Sequence, residues 1–239
     1  MCYHIAELTP LFDDFVDYFD IPGYNRDYNN DLYKVSYHLN GFTKPHIPVI
    51  RPEERESVID MYKWGLMPHW VKDPKTWKAN TLNARNDELF GKPSYRSYWK
   101  NRCLVIVSGF FEPRDRGVAG LEGPASKVQK TESWYIKSKT EPLLTLGGIY
   151  CNGTVSILTT DASPLLSEIH NDGKRMPLII DDPDIRDIWL HDDLTQDEMA
   201  RMMDSYPDDE SLTAYRALDG IMSNKVDTNV PEAIMPHAA

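Results

Sequence analysis

The sequence predicts an α+β fold with a twisted, largely antiparallel, barrel-like β core and short helices at its periphery. Short β-rich segments dominate the middle of the chain, and they do not alternate with helices as parallel βαβ units do. Short helices with recognisable caps lie towards both ends. The 239 residues contain no internal repeat and no long linker. We therefore expect a single domain, residues 1–239.

The first half of the chain is expected to be a short helix followed by strands. Thr9-Pro10 is typical of an N-cap and first helical position, and the apolar residues after it share one face. Pro45 and Pro48 favour an irregular or edge strand around them. The expected elements are a helix from 10 to about 21, strands at 32–39, 47–50 and 58–65, a loop at 66–82, and short helices at 86–90 and 94–99.

The second half centres on Cys103–Phe111, the most apolar segment of the chain. Both of its faces are nonpolar, so it is predicted to be one central strand. Residues 114–130 mix Gly, Pro, Ser and charge, which favours a hairpin connection or lid. The remaining expectations are strands at 133–137, 143–150 and 155–160, a helix at 163–170, a turn at 171–173, a strand at 176–180, helices at 182–190 and 195–206, and one or two strands in 212–230.

Composition limits the functional classes. Hydrophobic residues make up 41% and charged residues 26%, as in an ordinary globular protein. No apolar run approaches the roughly 20 residues that span a bilayer, and the start of the chain lacks a signal-peptide pattern. Three cysteines without C-x-x-C spacing argue against a disulfide framework or a structural zinc site. A cytoplasmic protein without a membrane segment is expected.

The charge distribution is uneven. The net charge of −11 argues against nucleic-acid binding. However, residues 63–116 contain 11 Lys and Arg against 5 Asp and Glu. This basic segment predicts a confined anion-binding face, with charges scattered over a solvated surface as the alternative.

Met1-Cys2 is the segment with the most distinctive chemistry. An initiator methionine before a small residue is normally removed, which leaves Cys2 with an α-amine and a thiol on adjacent carbons. These groups titrate near neutrality, at roughly 8 and about 8.5. The amine can form a Schiff base with an aldehyde, and the thiol can then close a thiazolidine on the same carbon. The alternative is an incidental cysteine at the second position.

Four further polar side chains and one aromatic loop could carry chemistry. Glu112 ends the apolar strand, where a partly desolvated carboxylate suits general acid/base work. His170 ends a capped helix, Asn83 can donate or accept a hydrogen bond, and Arg85 can bind a phosphate. The aromatic loop 64–70 could stack on unpaired bases. Taken singly, each also fits a structural role: a strand-end carboxylate, a satisfied histidine or core tryptophans.

In their order along the chain, these residues resemble the SRAP family, the SOS response-associated peptidase-like proteins that shield abasic sites. The resemblance extends over residues 1–180. Its motifs are Met1-Cys2, Trp64-Gly65-Leu66-x-Pro68-x-Trp70, Asn83-Ala84-Arg85, Arg102-Cys103-Leu104, Gly109-Phe110-Phe111-Glu112, Ile157-Leu158-Thr159-Thr160, and His170 followed by Arg175-Met176-Pro177.

The resemblance implies covalent capture of abasic sites in single-stranded DNA, together with autoproteolytic, peptidase-like and lyase-like chemistry. Cys2 is then the nucleophile, and Asn83 orients the opened sugar or the cysteine amine. Glu112 moves protons, and His170 assists opening of the sugar. The implied DNA contacts are made by Arg85, Arg175, Trp70, His69 and Thr160. No metal or organic cofactor is implied, and a monomer is expected.

The chain departs from the family pattern close to its start. Family members usually begin Cys-Gly-Arg, whereas Tyr3 and His4 follow the cysteine here. Asn40-Gly41-Phe42 replaces an Asn-x-Ala-Pro element, and Pro113 stands where tryptophan is common. Two other functions stay open at this point. One is a cysteine-dependent peptidase or amidohydrolase with an N-terminal nucleophile, and the other is a non-covalent single-strand-binding module.

Overall fold

Two β-sheets and short helices make up the part of the chain that the computed structural model describes, namely residues 2–54, 56–116, 131–205, 208–223 and 226–237. The helices in these ranges are α1 (Phe12–Phe19), α2 (Arg26–Leu32), α3 (Pro164–Ile169), α4 (Pro183–His191) and α5 (Gln196–Met203). The strands are β1 (His4–Glu7), β2 (Ser36–Asn40), β3 (His46–Glu53), β4 (Glu56–Trp64), β5 (Asn83–Arg85), β6 (Arg102–Val107), β7 (Gly109–Asp115), β8 (Thr131–Ser138), β9 (Leu144–Cys151), β10 (Thr154–Asp161), β11 (Arg175–Pro177) and β12 (Leu212–Arg216). The predicted α+β class is confirmed.

One of the two sheets is open, and part of the other closes into a ring. The first is antiparallel, with strand order β12-β8-β7-β1-β2. The second runs β11-β10-β4-β3-β6-β9, and β9 also pairs with β10, so five of its strands close into a ring. Between the strands described, only the pairings of β10 with β4 and with β5 are parallel. The expected largely antiparallel arrangement is therefore confirmed.

The apolar segment Cys103–Phe111 is two strands, so the prediction of one central strand was wrong. β6 ends at Val107 in the ring sheet, and β7 begins at Gly109 in the five-stranded sheet. Ser108 fixes the crossing, because its amide donates to the Ala6 carbonyl (2.9 Å) and its hydroxyl accepts from the Leu8 amide (2.9 Å). A Cβ at position 109 would lie 2.4 Å from the Tyr135 hydroxyl, so glycine is required there. Because of this crossing, Glu112 lies on β7, the strand that pairs with β1.

The hydrophobic core has a helix-covered part and a part that reaches the N-terminus. α1 and α4 bury Phe12, Phe15 and Trp189 against apolar side chains of the ring sheet, such as Leu104. A second cluster contains Cys2 together with buried residues of β1, β3, β6, β7 and β10. Cys2 is thus anchored in packed structure. No helix in the described ranges has the length and apolar character needed to cross a membrane.

Several local predictions were wrong. β3 is an interior strand between β4 and β6, although Pro48 suggested an edge. Residues 86–90 and 94–99 form hydrogen-bonded turns, because Gly91 and Pro93 interrupt any longer helical ladder. The helix over Arg26–Leu32 was not predicted. β7 continues to Asp115, and the rest of the expected lid, 117–130, lies outside the described residues.

Candidate active site around Cys2

Cys2 lies two residues before the start of β1, where the five-stranded sheet places it near β7. The antiparallel register pairs His4 with Phe111, so the start of β1 lies beside the end of the apolar part of β7. Cys2 is fully buried, and its Sγ lies 3.9 Å from the His4 carbonyl oxygen. Burial raises the pKa of the Cys2 thiol well above its usual value, and the nearby Glu112 carboxylate raises it further. The two residues predicted as nucleophile and proton carrier are therefore electrostatic neighbours.

Glu112 and His170 form a buried pair beside Cys2. Glu112 is fully buried on β7, and its Oε2 lies 3.6 Å from Nδ1 of His170. Burial raises the pKa of the Glu112 carboxyl, while the imidazole of His170 acts in the opposite direction. A carboxyl group with a raised pKa can exchange protons near neutrality more readily than an exposed one.

The His170 ring has a defined orientation at the C-cap of α3. Ser163 caps the start of this helix with its side chain, and Pro164 occupies the first position, as predicted. Nδ1 of His170 lies 2.8 Å from the Arg175 carbonyl oxygen, which can only accept a hydrogen bond. Nδ1 therefore carries the hydrogen, and Nε2 is the basic nitrogen of the neutral ring. Gly173 packs against this edge, since a Cβ there would lie 2.6 Å from Nε2.

Asn83 provides an amide near the start of the chain. It opens β5, which pairs in parallel with β10, and its backbone carbonyl accepts a hydrogen bond from the Tyr95 hydroxyl (2.9 Å). Its buried side-chain nitrogen and oxygen make no hydrogen bond to the described residues. Burial raises the pKa of the nearby Tyr3 hydroxyl, and a hydrogen bond from the Asn80 amide (3.4 Å) opposes this rise. A buried amide without partners costs about 1–3 kcal/mol, so Asn83 is suited to bind a ligand group.

A cavity of about 460 Å³ opens beside these residues. Cys2 and Glu112 are fully buried and do not line it, whereas neighbours of both do. Phe42 is half-exposed, and its ring centroid lies 4.9 Å from that of Tyr3. Sequence reasoning missed Phe42 as a site residue, although it lies in the Asn40-Gly41-Phe42 departure. The side chains around the cavity include Tyr3, His4, Phe42, Arg85, His170 and Arg175.

The two arginines predicted to bind phosphates reach this cavity but already contact protein groups. Arg85 is partly exposed and makes two hydrogen bonds to Asp87, of 2.9 and 2.6 Å. Arg175 is buried and donates to Asp161 (2.7 Å) and to Asn86 (2.8 Å). A phosphate at Arg85 must therefore compete with an exposed carboxylate. Arg175 is held within a hydrogen-bond network.

The other three predicted DNA contacts lie outside the cavity lining. Trp70 is 52% exposed and meets Trp77 edge to face at 5.3 Å between centroids. His69 is exposed, and its amide and Nδ1 both lie within 2.9 Å of the Tyr98 hydroxyl. Thr160 is buried, and its hydroxyl accepts from Asn86 at 3.4 Å. Trp70 and His69 are available on a surface loop, whereas Thr160 is enclosed.

The fold and site together define a class: α+β proteins in which a cysteine at the second position is buried beside a glutamate–histidine pair. No group of three or more His, Cys, Asp or Glu side chains in the described ranges is arranged to hold a metal ion. The family model described as SOS response associated peptidase (SRAP) matches residues 1–224. The chain belongs to this family.

Relatives and solved structures agree with this membership. The chain is 27% identical over 238 residues to the abasic site processing protein YoqW of Bacillus subtilis, with 95% of this chain and 96% of that protein covered. It is 29% identical over 213 residues to the abasic site processing protein HMCES of Pongo abelii, with 77% and 58% covered. A crystal structure of a protein from Bacteroides thetaiotaomicron superposes with a TM-score of 0.82 at 27% identity, over 99% of this chain and all of that one.

Proposed function

We propose that this protein binds single-stranded DNA and captures abasic sites covalently through Cys2. Removal of Met1 is required, because it exposes the α-amine of Cys2. The amine and the thiol then close a thiazolidine on the aldehyde carbon of the opened sugar, which shields the lesion. Membership of a family whose relatives are named abasic site processing proteins supports this proposal.

The observation that carries the proposal is the position of Cys2 beside the buried pair of Glu112 and His170. An abasic sugar exists mainly as a closed hemiacetal, so a proton donor and acceptor must open it before an amine can attack. His170 lines the cavity and keeps Nε2 as the basic nitrogen of its neutral ring, and Glu112 can carry a proton beside Cys2. Asn83 can then hold the opened sugar or the cysteine amine with its unpartnered amide.

The proposed steps balance without a cofactor. The amine adds to the aldehyde, and the resulting carbinolamine loses its hydroxyl as water to give an imine. The thiol then adds across the carbon–nitrogen double bond, with its proton passing to the nitrogen. Protons leave the amine early and return to the hydroxyl later, so a carrier that can act in both directions is needed. Glu112, with its raised pKa, suits this role.

The raised pKa of Cys2 favours a reaction in which the amine attacks first. Thiolate is the nucleophilic form of cysteine, and burial beside a carboxylate disfavours it. The thiol can react with an imine already formed on the same residue without a free thiolate in advance. The two groups are held close together, and this proximity lowers the activation barrier for ring closure. A peptidase with Cys2 as the first nucleophile needs the opposite electrostatics, which argues against peptide turnover as the main activity.

The DNA-binding part of the proposal rests on Arg85 and on the surface loop with Trp70. Arg85 reaches the cavity and is partly exposed, so it can exchange its carboxylate partner for a phosphate. Trp70 offers a half-exposed ring on which a base can stack, an interaction of about 1–3 kcal/mol per base. Arg175 also lines the cavity, but its guanidinium is held by Asp161 and Asn86. We therefore assign it mainly to holding the cavity wall in place, and less to binding phosphate than Arg85.

The test is incubation with a single-stranded oligonucleotide that contains one abasic site, followed by denaturing electrophoresis. The purified protein is first checked by intact mass for loss of Met1. We expect a shifted band with the wild type and none with Cys2→Ala or with an oligonucleotide that lacks the lesion. Absence of the band for a wild type that begins at Cys2 would reject the proposal. Multiple turnover of a peptide without DNA would support the peptidase alternative instead.

A further inference from the structure

A chain of hydrogen bonds leads away from the site cavity through two buried histidines. Nδ1 of His4 and Nε2 of His38 share a hydrogen bond of 2.8 Å. Nδ1 of His38 and the Thr228 hydroxyl share another of 2.6 Å. His4 follows Cys2 by two residues, His38 lies on the neighbouring strand β2, and Thr228 belongs to the C-terminal segment.

This chain joins two separate cavities. His4 lines the cavity that also contains His170 and Arg85. His38 and Thr228 line a second cavity, also of about 460 Å³, which opens between β2 and the C-terminal segment. The exposed fractions are only 6% for His4, 9% for His38 and 3% for Thr228. The three side chains therefore form a continuous polar path through packed structure.

Both imidazole rings are neutral at physiological pH. Burial lowers the pKa of His4 to about 3, with the neighbouring His38 contributing. Burial also lowers the pKa of His38 to about 4, and the Asp227 carboxylate acts in the opposite direction. A neutral ring has one N–H and one bare nitrogen, so a pair of neutral rings can bond in two ways. In one arrangement Nε2 of His4 carries a hydrogen, and in the other it is a bare acceptor.

We propose that His4, His38 and Thr228 form a proton relay between the Cys2 site and the second cavity. His4 takes part directly through Nε2, and His38 and Thr228 position it and set its tautomer. The inference rests on the proposed function, because it assigns a path for the protons that imine formation removes and returns.

The relay moves one proton, and both imidazole rings are neutral before and after the transfer. A proton arrives at Nε2 of His4, while the Nδ1 hydrogen of His4 passes to Nε2 of His38. The Nδ1 hydrogen of His38 passes to the Thr228 oxygen, and the hydroxyl hydrogen passes to solvent in the second cavity. Both rings have exchanged tautomers. The reverse movement returns a proton when the carbinolamine hydroxyl leaves as water, which resets the pair.

The surroundings favour two alternating arrangements of the rings without large movement. The two imidazoles lie 5.0 Å apart at a tilt of 31°, and the His38 ring meets Phe111 edge to face at 5.6 Å. The Asn229 side-chain oxygen accepts from the His38 amide at 3.2 Å, which ties β2 to the segment that carries Thr228. Proton transfer can therefore proceed by exchange along fixed hydrogen bonds.

The test compares Thr228→Val with Thr228→Ser in single-turnover linkage to an abasic oligonucleotide, in H₂O and in D₂O. Thr228→Val keeps the shape but removes the hydroxyl, so we expect linkage to slow on the order of tenfold. This is less than the roughly 10²–10⁴-fold contributed by a general acid or base, because Thr228 acts through the two histidines. Thr228→Ser should restore the wild-type rate and solvent isotope effect. Thr43→Val removes a hydroxyl that lines the same second cavity but bonds to the Asn40 carbonyl, so it should leave both unchanged.

A second readout does not depend on linkage. Nitrogen NMR of histidine-labelled protein at pH 7 should show His4 and His38 as neutral rings whose shifts average two tautomers, and Thr228→Val should remove this averaging. A single fixed tautomer in the wild type, or linkage by Thr228→Val at the wild-type rate, would overturn the relay. A wild type that starts at Cys2 and links to no abasic site overturns the proposed function itself, and the relay with it.

Discussion

Oε2 of Glu112 lies 3.6 Å from Nδ1 of His170, the same nitrogen that donates to the Arg175 carbonyl oxygen. One edge of the imidazole therefore faces two acceptors. Nε2 on the other side of the ring lies against Gly173, which lines the cavity together with His170. This arrangement fixes the tautomer and the ring orientation. It also links the two residues, because a change at Glu112 alters the environment of the His170 ring, which we propose acts on the substrate.

Replacing Glu112 with glutamine should slow covalent linkage by about 10²-fold, because glutamine keeps the volume but cannot carry a proton. Single-turnover linkage to an abasic oligonucleotide measures the effect. Affinity for an oligonucleotide without the lesion should stay at the wild-type level, since Glu112 does not line the cavity. A wild-type linkage rate in Glu112→Gln would rule out a proton-carrying role.

Gly173→Ala should displace the His170 ring, because a Cβ at this position would lie 2.6 Å from Nε2 and 2.8 Å from Cε1. We expect linkage to slow by at least about tenfold, since small misplacements of catalytic groups carry large rate penalties. The matched control is Gly91→Ala, where a Cβ would meet no atom within 4 Å. Equal linkage rates in the two variants would show that the ring position is unimportant.

The sequence predicted which residues meet at the site better than it predicted their hydrogen-bond and salt-bridge partners. The ordered motifs identified Cys2, Glu112 and His170, and the structure brings these three together. The motifs contain no information on pairing, so the carboxylate that occupies Arg85 and the hydrogen-bond network around Arg175 could not be foreseen. The network around Arg175 joins residues far apart in the sequence, such as Arg175 and Asn86. Asp87 is only two residues from Arg85, but the sequence does not say whether the two side chains turn towards each other.

The fold was predictable where local pattern and tertiary packing agree. The helix that begins at Pro164 and the one that begins at Pro183 have the caps expected from the sequence. The break at Ser108 was not predictable from hydrophobicity, because both strands around it are apolar on both faces. Its cause is tertiary: Ser108 bonds to Ala6 of β1 and to Leu8 just after that strand, about 100 residues earlier in the sequence.

Asp87→Asn should strengthen binding to single-stranded DNA. Asp87 accepts two hydrogen bonds from Arg85, and neutralising it weakens the attraction that competes with a phosphate, leaving only the longer contact of Arg85 with Glu88 (4.0 Å) as an ion pair among the described residues. We expect a several-fold tighter Kd and a salt dependence steeper by about 0.7 per added phosphate contact. The control is Asp13→Asn, which makes the same charge change at an exposed pair with Arg26. Equal gains in affinity in both variants would indicate a general effect of net charge. Adding Arg85→Ala to Asp87→Asn should abolish the gain in affinity that depends on Arg85.

Glu7 is a buried carboxyl whose oxygens make no hydrogen bond to the described residues. Burial raises the pKa of Glu7 well above its usual value, so the folded protein binds this proton more tightly than the unfolded chain does. Both states are protonated below the usual carboxyl range, and stability is then unaffected by ionisation. As pH rises through that range, the unfolded chain ionises first, and the free energy of unfolding falls until the folded pKa is reached.

Glu7→Gln should remove this pH-dependent fall in the free energy of unfolding. The variant is expected to match the wild type in acid and to exceed it at neutral and alkaline pH, by about 1.4 kcal/mol for each unit by which burial has raised the pKa. Urea unfolding at a series of pH values measures the difference. Glu54→Gln, which makes the same change at an exposed position, should give a small difference that does not grow with pH. A Glu7→Gln profile parallel to that of the wild type would mean that the carboxyl is charge-compensated in the folded protein.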